Sequence, residues 1–163
     1  MNLSLLLLGS LAVVGIASAI YRYRNTVVAS NALDSGTHAR NALNYVTDGA
    51  IGCYRLVKIG SESTVVDVCG ANDSPLGITQ DEASEANDLI AVHLLGCGLD
   101  GTQKVIASGS ITAGAEVYTA ADGAVSEKSN TSGSYYKIGK ALQAATDGEF
   151  VEIVSCYPEL VTV

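Results

Sequence analysis

Residues 138–153 read IGKALQAATDGEFVEI. A largely apolar run ends at Leu142, Asp147-Gly148 follows a polar stretch, and Phe150, Val151, Glu152 and Ile153 resume an apolar-biased pattern. Asp-Gly between two such segments is a strong hairpin signal, because both residues tolerate the positive φ of a tight turn. The pattern predicts strands at residues 135–143 and 150–156 with a turn between them.

Working outward, the same arrangement occurs earlier in the chain. Leu76-Gly77-Ile78 is followed by a polar, acidic stretch and then by Leu89-Ile90-Ala91-Val92. Gly77 maps to Gly139 at an offset of 62, Leu89 to Phe150 at 61, and Val57 to Val117 at 60. The spacing predicts two copies of a strand-rich unit, residues 48–98 and 109–157. Neither copy alone carries the core of a stable sandwich, so together they are expected to close one barrel-like domain. Further strands are predicted at 53–59, 64–69, 76–79, 88–95, 103–107, 116–119 and 124–127. Asp100-Gly101 and Asp122-Gly123 supply turns between them.

The composition agrees with a mainly β fold. The 163 residues are 48% hydrophobic and only 16% charged, with Gly 17, Pro 2, Trp 0, Phe 1 and Tyr 8. Charge is scarce against the usual share of about 25%. Disorder, a coiled coil and a disulfide miniprotein are excluded on this basis. Residues 1–40 carry a net charge of +2 and residues 41–163 a net charge of −10. Phosphate binding needs clustered Lys and Arg, so nucleic acid is not an expected partner.

The N-terminus is different. Residues 3–20 read LSLLLLGSLAVVGIASAI, without a charged side chain. As a helix they would span about 27 Å, close to the hydrocarbon thickness of a bilayer. Three readings compete: a secretory signal with Ala17-Ser18-Ala19 as cleavage site, a transmembrane anchor, and an apolar helix buried among subunits. Tyr21, Arg22, Tyr23 and Arg24 suit a membrane–water boundary. Leu5, Leu8, Leu11, Gly15 and Ala19 are the expected contact residues, with Tyr21, Arg22 and Arg24 at the rim. Gly15 and Ala19 form a small-xxx-small pair that lets helices approach closely. Residues 1–24 thus read as an apolar helix, 25–47 as an extended arm, and 48–163 as the β-rich domain.

No chemistry-bearing motif emerges. Cys53, Cys69, Cys97 and Cys156 contain no C-x-x-C, so zinc-ribbon and thioredoxin readings lack their spacing. The cysteines read as free thiols packing as small hydrophobes, or as two disulfides in any of three pairings. His38 and His93 lie far apart in sequence. Asp81, Glu82, Glu85 and Asp88 lack the alternation and central Gly of a calcium loop and read as a solvated turn. The reading has no catalytic, cofactor-binding or metal-binding residue and no small-molecule substrate.

In order along the chain stand YRLVKIG (54–60), PLGI (75–78), SITAGAEVY (110–118) and IGKALQAATDGEFVEI (138–153). Over residues 44–157 this order resembles the capsid cement, or decoration, proteins of tailed phages. The resemblance implies a small β-rich domain that binds the outside of an assembled capsid, often as trimers, and stiffens it. It implies the major capsid protein and copies of the chain itself as partners, a place on the virion surface, and no catalysis or cofactor. The apolar segment 3–20 and the four cysteines depart from the family pattern, and membrane contact through 3–20 stays open. The alternative is a filament or surface-layer subunit at the cell surface, its N-terminal helices packed in a common core.

Overall fold

The computed structural model describes residues 42–97, 101–129 and 131–163. Its strands are β1 (Ala42–Thr47), β2 (Leu56–Ile59), β3 (Val65–Val68), β4 (Gly77–Thr79), β5 (Leu89–Leu94), β6 (Gln103–Ile106), β7 (Glu116–Thr119), β8 (Val125–Ser126), β9 (Ser134–Ala141) and β10 (Phe150–Thr162). A 3-10 turn, Ala121–Gly123, connects β7 and β8. The molecule is mainly β. No helix among the described residues is long and apolar enough to cross a membrane.

The first five strands form a closed barrel in the order β1-β3-β2-β4-β5. The last five form a sheet in the order β6-β10-β9-β7-β8, with a parallel bridge between Ala107 and Val125. Written as copies, the two orders match. Val46 opposite Leu89 recurs as Ile106 opposite Phe150. Val57 opposite Gly77 recurs as Val117 opposite Gly139. Parallel Thr47 opposite Val66 recurs as Ala107 opposite Val125. The bridge between Ile51 and Ala83 recurs between Ile111 and Ala145. Even the turn bonds repeat: Asn87 N–H donates to Thr47 O, and Gly148 N–H donates to Ala107 O. The offset near sixty is thus a repeat of strand pairing.

Gly77 and Gly139 explain why this register is tight. A Cβ on Gly77 would sit 2.4 Å from the His93 carbonyl oxygen, and one on Gly139 would sit 2.3 Å from that of Val154. Both strands cross a neighbour at a point where backbone approaches backbone, and no side chain fits.

The expectation that both units close one barrel is corrected. The first unit closes on itself, around Tyr45, Ile51, Val57, Val66, Ala83, Ile90 and Val92. The second core holds Val105, Ile111, Val117, Val125, Ile138, Val151 and Ile153, and Leu56, Cys69, Ile78 and Leu95 of the first unit pack into the same cluster. The two units share an apolar seam.

The boundaries also shift. Residues 42–47, expected as the end of an arm, form β1, which pairs with both β3 and β5. Its period is concealed because an inward position is polar: Thr47 is buried and its hydroxyl donates to the Glu85 carbonyl at 2.9 Å. Likewise β6 opens the second unit, which therefore starts before residue 109. β2 begins at Leu56 rather than 53, since Tyr54 has φ 56°, a conformation no strand admits. β10 continues past 156 through Pro158, where a register irregularity between Ser155 and Glu159 relieves the proline of a ladder bond.

Candidate assembly surfaces

Leu5, Leu8, Leu11, Gly15, Ala19, Tyr21, Arg22 and Arg24 lie outside the described residues, as does the whole apolar segment and His38. The surfaces in view are those of the β-domain.

The groups capable of chemistry are dispersed. Among the described residues no three His, Cys, Asp or Glu side chains converge as a metal site. The four cysteines are unpaired in the structure. Cys69 is buried, and burial pushes its thiol up to about 12, which keeps it from acting as a nucleophile near neutral pH. Burial likewise raises the Cys156 thiol. His93 sits on β5 opposite Ile78.

Two surface features are built rather than incidental. The first is a shallow groove of about 410 Å³ on the outer face of the second unit. Lys140, Val154 and Cys156 line it from the ladder of β9 and β10, with Leu142 just beyond β9 and Glu116 beside them on β7. Leu142 and Val154 are each 49% exposed. At one edge Lys137 Nζ lies 2.9 Å from Glu116 and 3.8 Å from Glu159, while the Tyr118 hydroxyl donates to Glu116 at 2.8 Å. Lys137 and Tyr118 together hold the Glu116 carboxyl below its ordinary range. These are partly exposed pairs, so they orient the rim more than they stabilise the fold.

The second is a cleft between units, lined by Pro75, Leu76, Leu94, Leu95, Tyr157 and Pro158. Gly96, at φ +76°, brings the first unit against the Tyr157 backbone, where a Cβ would meet the Tyr157 Cα at 2.6 Å. Tyr157 itself is 81% exposed, and Leu160 further along β10 is 56% exposed. Below the cleft Lys58 Nζ bonds Asp73 at 2.6 Å, and the Gly70 N–H also donates to that carboxylate. Sequence reading missed both features. Alternation in β10 was legible, but which outward residues become neighbours depends on the ladder.

The described domain is a β protein with exposed apolar side chains on its sheet faces and dispersed titratable groups. The sequence pattern of the phage cement proteins matches residues 37–154, and the chain belongs to that family. Among solved structures, the fold is similar to head fiber gp8.5 N base in bacteriophage phi29, with a TM-score of 0.57 and 20% identity. That likeness covers 74% of this chain and 97% of the other. Comparison with curated protein sequences gave no match.

Proposed function

We propose that this protein is a capsid cement: it binds the outer surface of an assembled phage shell and stabilises it, with the major capsid protein and copies of itself as partners. The observation that carries this reading is the extent of the family match. Residues 37–154 run from before β1 into β10 and so span most of both β units, rather than one isolated motif. The physical character of the domain supports it. A cement works through modest contacts repeated by symmetry, so each copy needs exposed apolar side chains on a rigid sheet rather than a deep pocket. Leu142, Val154, Tyr157 and Leu160 are side chains of that kind. The apolar segment 3–20 is proposed to be helical and buried, against neighbouring subunits or in lipid.

The test mixes purified protein with shells assembled without it and sediments them. The reading requires saturable co-sedimentation at a fixed ratio to the major capsid protein, and shells that withstand more heat once saturated. Protein that stays in the supernatant at all concentrations would refute it. A chain lacking residues 1–24 is expected to bind with reduced occupancy; full occupancy would remove the assembly role of the helix alone.

A further inference from the structure

The internal repeat makes a comparison that neither unit makes alone. One face of the first unit is covered by the second: Leu56 and Ile78, cross-strand neighbours, are 0% and 1% exposed, and Leu95 is 4% exposed. The register places Glu116, Lys140 and Cys156 at the same positions of the second unit, with Glu116 and Lys140 again cross-strand neighbours. Those residues line the open groove. The groove is therefore the counterpart of the seam, left uncovered among the described residues.

The covering surface repeats as well. The second unit covers the first with Ile106, whose N–H donates to Tyr54 O, with the turn at Ala121–Gly123, where Gly123 N–H donates to Cys69 O, with Thr119, whose hydroxyl donates to Ala71 O, and with Phe150, whose ring meets Tyr54 at 5.0 Å. By register, the counterparts of Thr119 and Phe150 are Ile59 and Leu89, and the turn 120–123 corresponds to the turn 60–64, which is one residue longer. Ile59 and Leu89 are 45% and 38% exposed. Ile59 thus stands where Thr119, 0% exposed, meets the first unit, and Leu89 stands where Phe150, still 49% exposed, edges onto Tyr54. Leu142 and Val154 wait on the face that would receive them.

A basic side chain also reaches the covering turn. In the seam the Arg55 guanidinium donates to the Asp122 backbone carbonyl at 3.0 Å. The turn bonds pair Glu62 with Ala121, since Val65 N–H donates to Glu62 O as Ala124 N–H donates to Ala121 O; Asp122 then corresponds to Ser63, and Arg55 to Ala115. Lys140 flanks that position, its Cε 3.8 Å from where a Gly114 Cβ would lie. An incoming 60–64 turn would bring Glu62 to the edge of the groove that carries Lys140. Asp48, bonded to Ser61, and Asp88, beside Leu89, add negative charge to the same end, opposite Lys140; Lys137 in the groove is already paired with Glu116 and Glu159.

We propose that the groove of Glu116, Lys140, Leu142, Val154 and Cys156 is occupied by the first unit of a second copy of this chain, presented by Ile59, the 60–64 turn and Leu89, so that copies join head to tail by repeating the internal seam. Such a contact is heterologous and closes into a ring or extends, depending on its rotation. Because Glu116 and Lys140 replace Leu56 and Ile78, it is a polar and reversible version of the seam.

The test uses the full chain. Glu62→Cys and Lys140→Cys are prepared separately in a Cys97→Ser, Cys156→Ser background, which removes the free thiols at the surface and in the groove, then mixed and oxidised; folding is checked by circular dichroism. The expected result is a disulfide-linked dimer in the mixture at several times the yield of either variant alone, with mass spectrometry placing the bond between residues 62 and 140. Charge reversal gives an independent arm. Lys140→Glu and Glu62→Lys should each lower the mass seen by light scattering, and the double exchange should restore it. Yields equal to the single variants, a wild-type mass unchanged by either reversal, or a monomeric wild type would overturn the proposal; the last is expected if another segment of the same chain fills the groove. Shell binding measured in parallel separates this from the cement reading, since the reversal variants can lose self-association and still co-sediment.

Discussion

Substituting Gly77 or Gly139 by alanine should damage the fold to a similar degree at two sites far apart in sequence. The added methyl would lie 2.4 Å from the His93 oxygen or 2.3 Å from the Val154 oxygen, whereas an ordinary contact begins near 3.4 Å. About 1 Å must be found by moving backbone in the middle of a ladder, since neither obstacle is a flexible side chain. Overpacking of this kind costs roughly 1–3 kcal/mol. Weakening one or two ladder bonds adds about 0.5–1.5 kcal/mol each. The reduced freedom of the unfolded chain returns about 0.4–1 kcal/mol. The balance is a loss of roughly 2–4 kcal/mol for each variant, a fall in Tm on the order of 10 °C. Gly49→Ala is the control, because nothing lies within 4 Å of its added methyl. Urea unfolding followed by circular dichroism reads all three. A Gly77→Ala or Gly139→Ala protein as stable as Gly49→Ala would refute both the close approach and the equivalence of the two positions.

Leu56→Ala, which empties a fully buried site in the seam, should cost about 2–5 kcal/mol in the same unfolding assay. Asp73→Asn removes the partner of Lys58. Lys58, then the Gly70 N–H, hold the Asp73 carboxyl below its ordinary 3.8, so the pair stabilises above that value and loses its effect as pH falls through the lowered one. With side chains 32% and 38% exposed, wild type should exceed the variant by about 0.2–1 kcal/mol at pH 7, and the gap should close in acid; a gap that widens below pH 3 would contradict the sign. Iodoacetamide at pH 8 should modify exposed Cys97 readily and spare Cys69 in the folded protein, as peptide mass mapping would read.

Much of the architecture was legible because the second half repeats the first with its signals intact. Asp147-Gly148 and the matched Gly77 and Gly139 are local requirements of backbone geometry, and such requirements survive in sequence. β1 was not legible, since Asn44 and the buried Thr47 break the apolar period, and a hydroxyl satisfied by a distant carbonyl leaves no local mark. The closure of the first unit was also hidden: ALNYVT supplies the strand that joins β3 to β5. The candidate surfaces were least legible. Leu142 and Val154 become neighbours only through the β9–β10 ladder, and the meaning of Ile59 and Leu89 emerges only when one unit's pairing is laid on the other's.

The cement reading is tested most directly by cryo-electron microscopy of the phage shell, comparing particles with and without this protein. The difference map should contain, on the outer surface and at fixed symmetry positions, density that fits the tandem β units of residues 42–163. A map with no ordered difference on the shell exterior, in particles that retain the protein at stoichiometric levels, would contradict it.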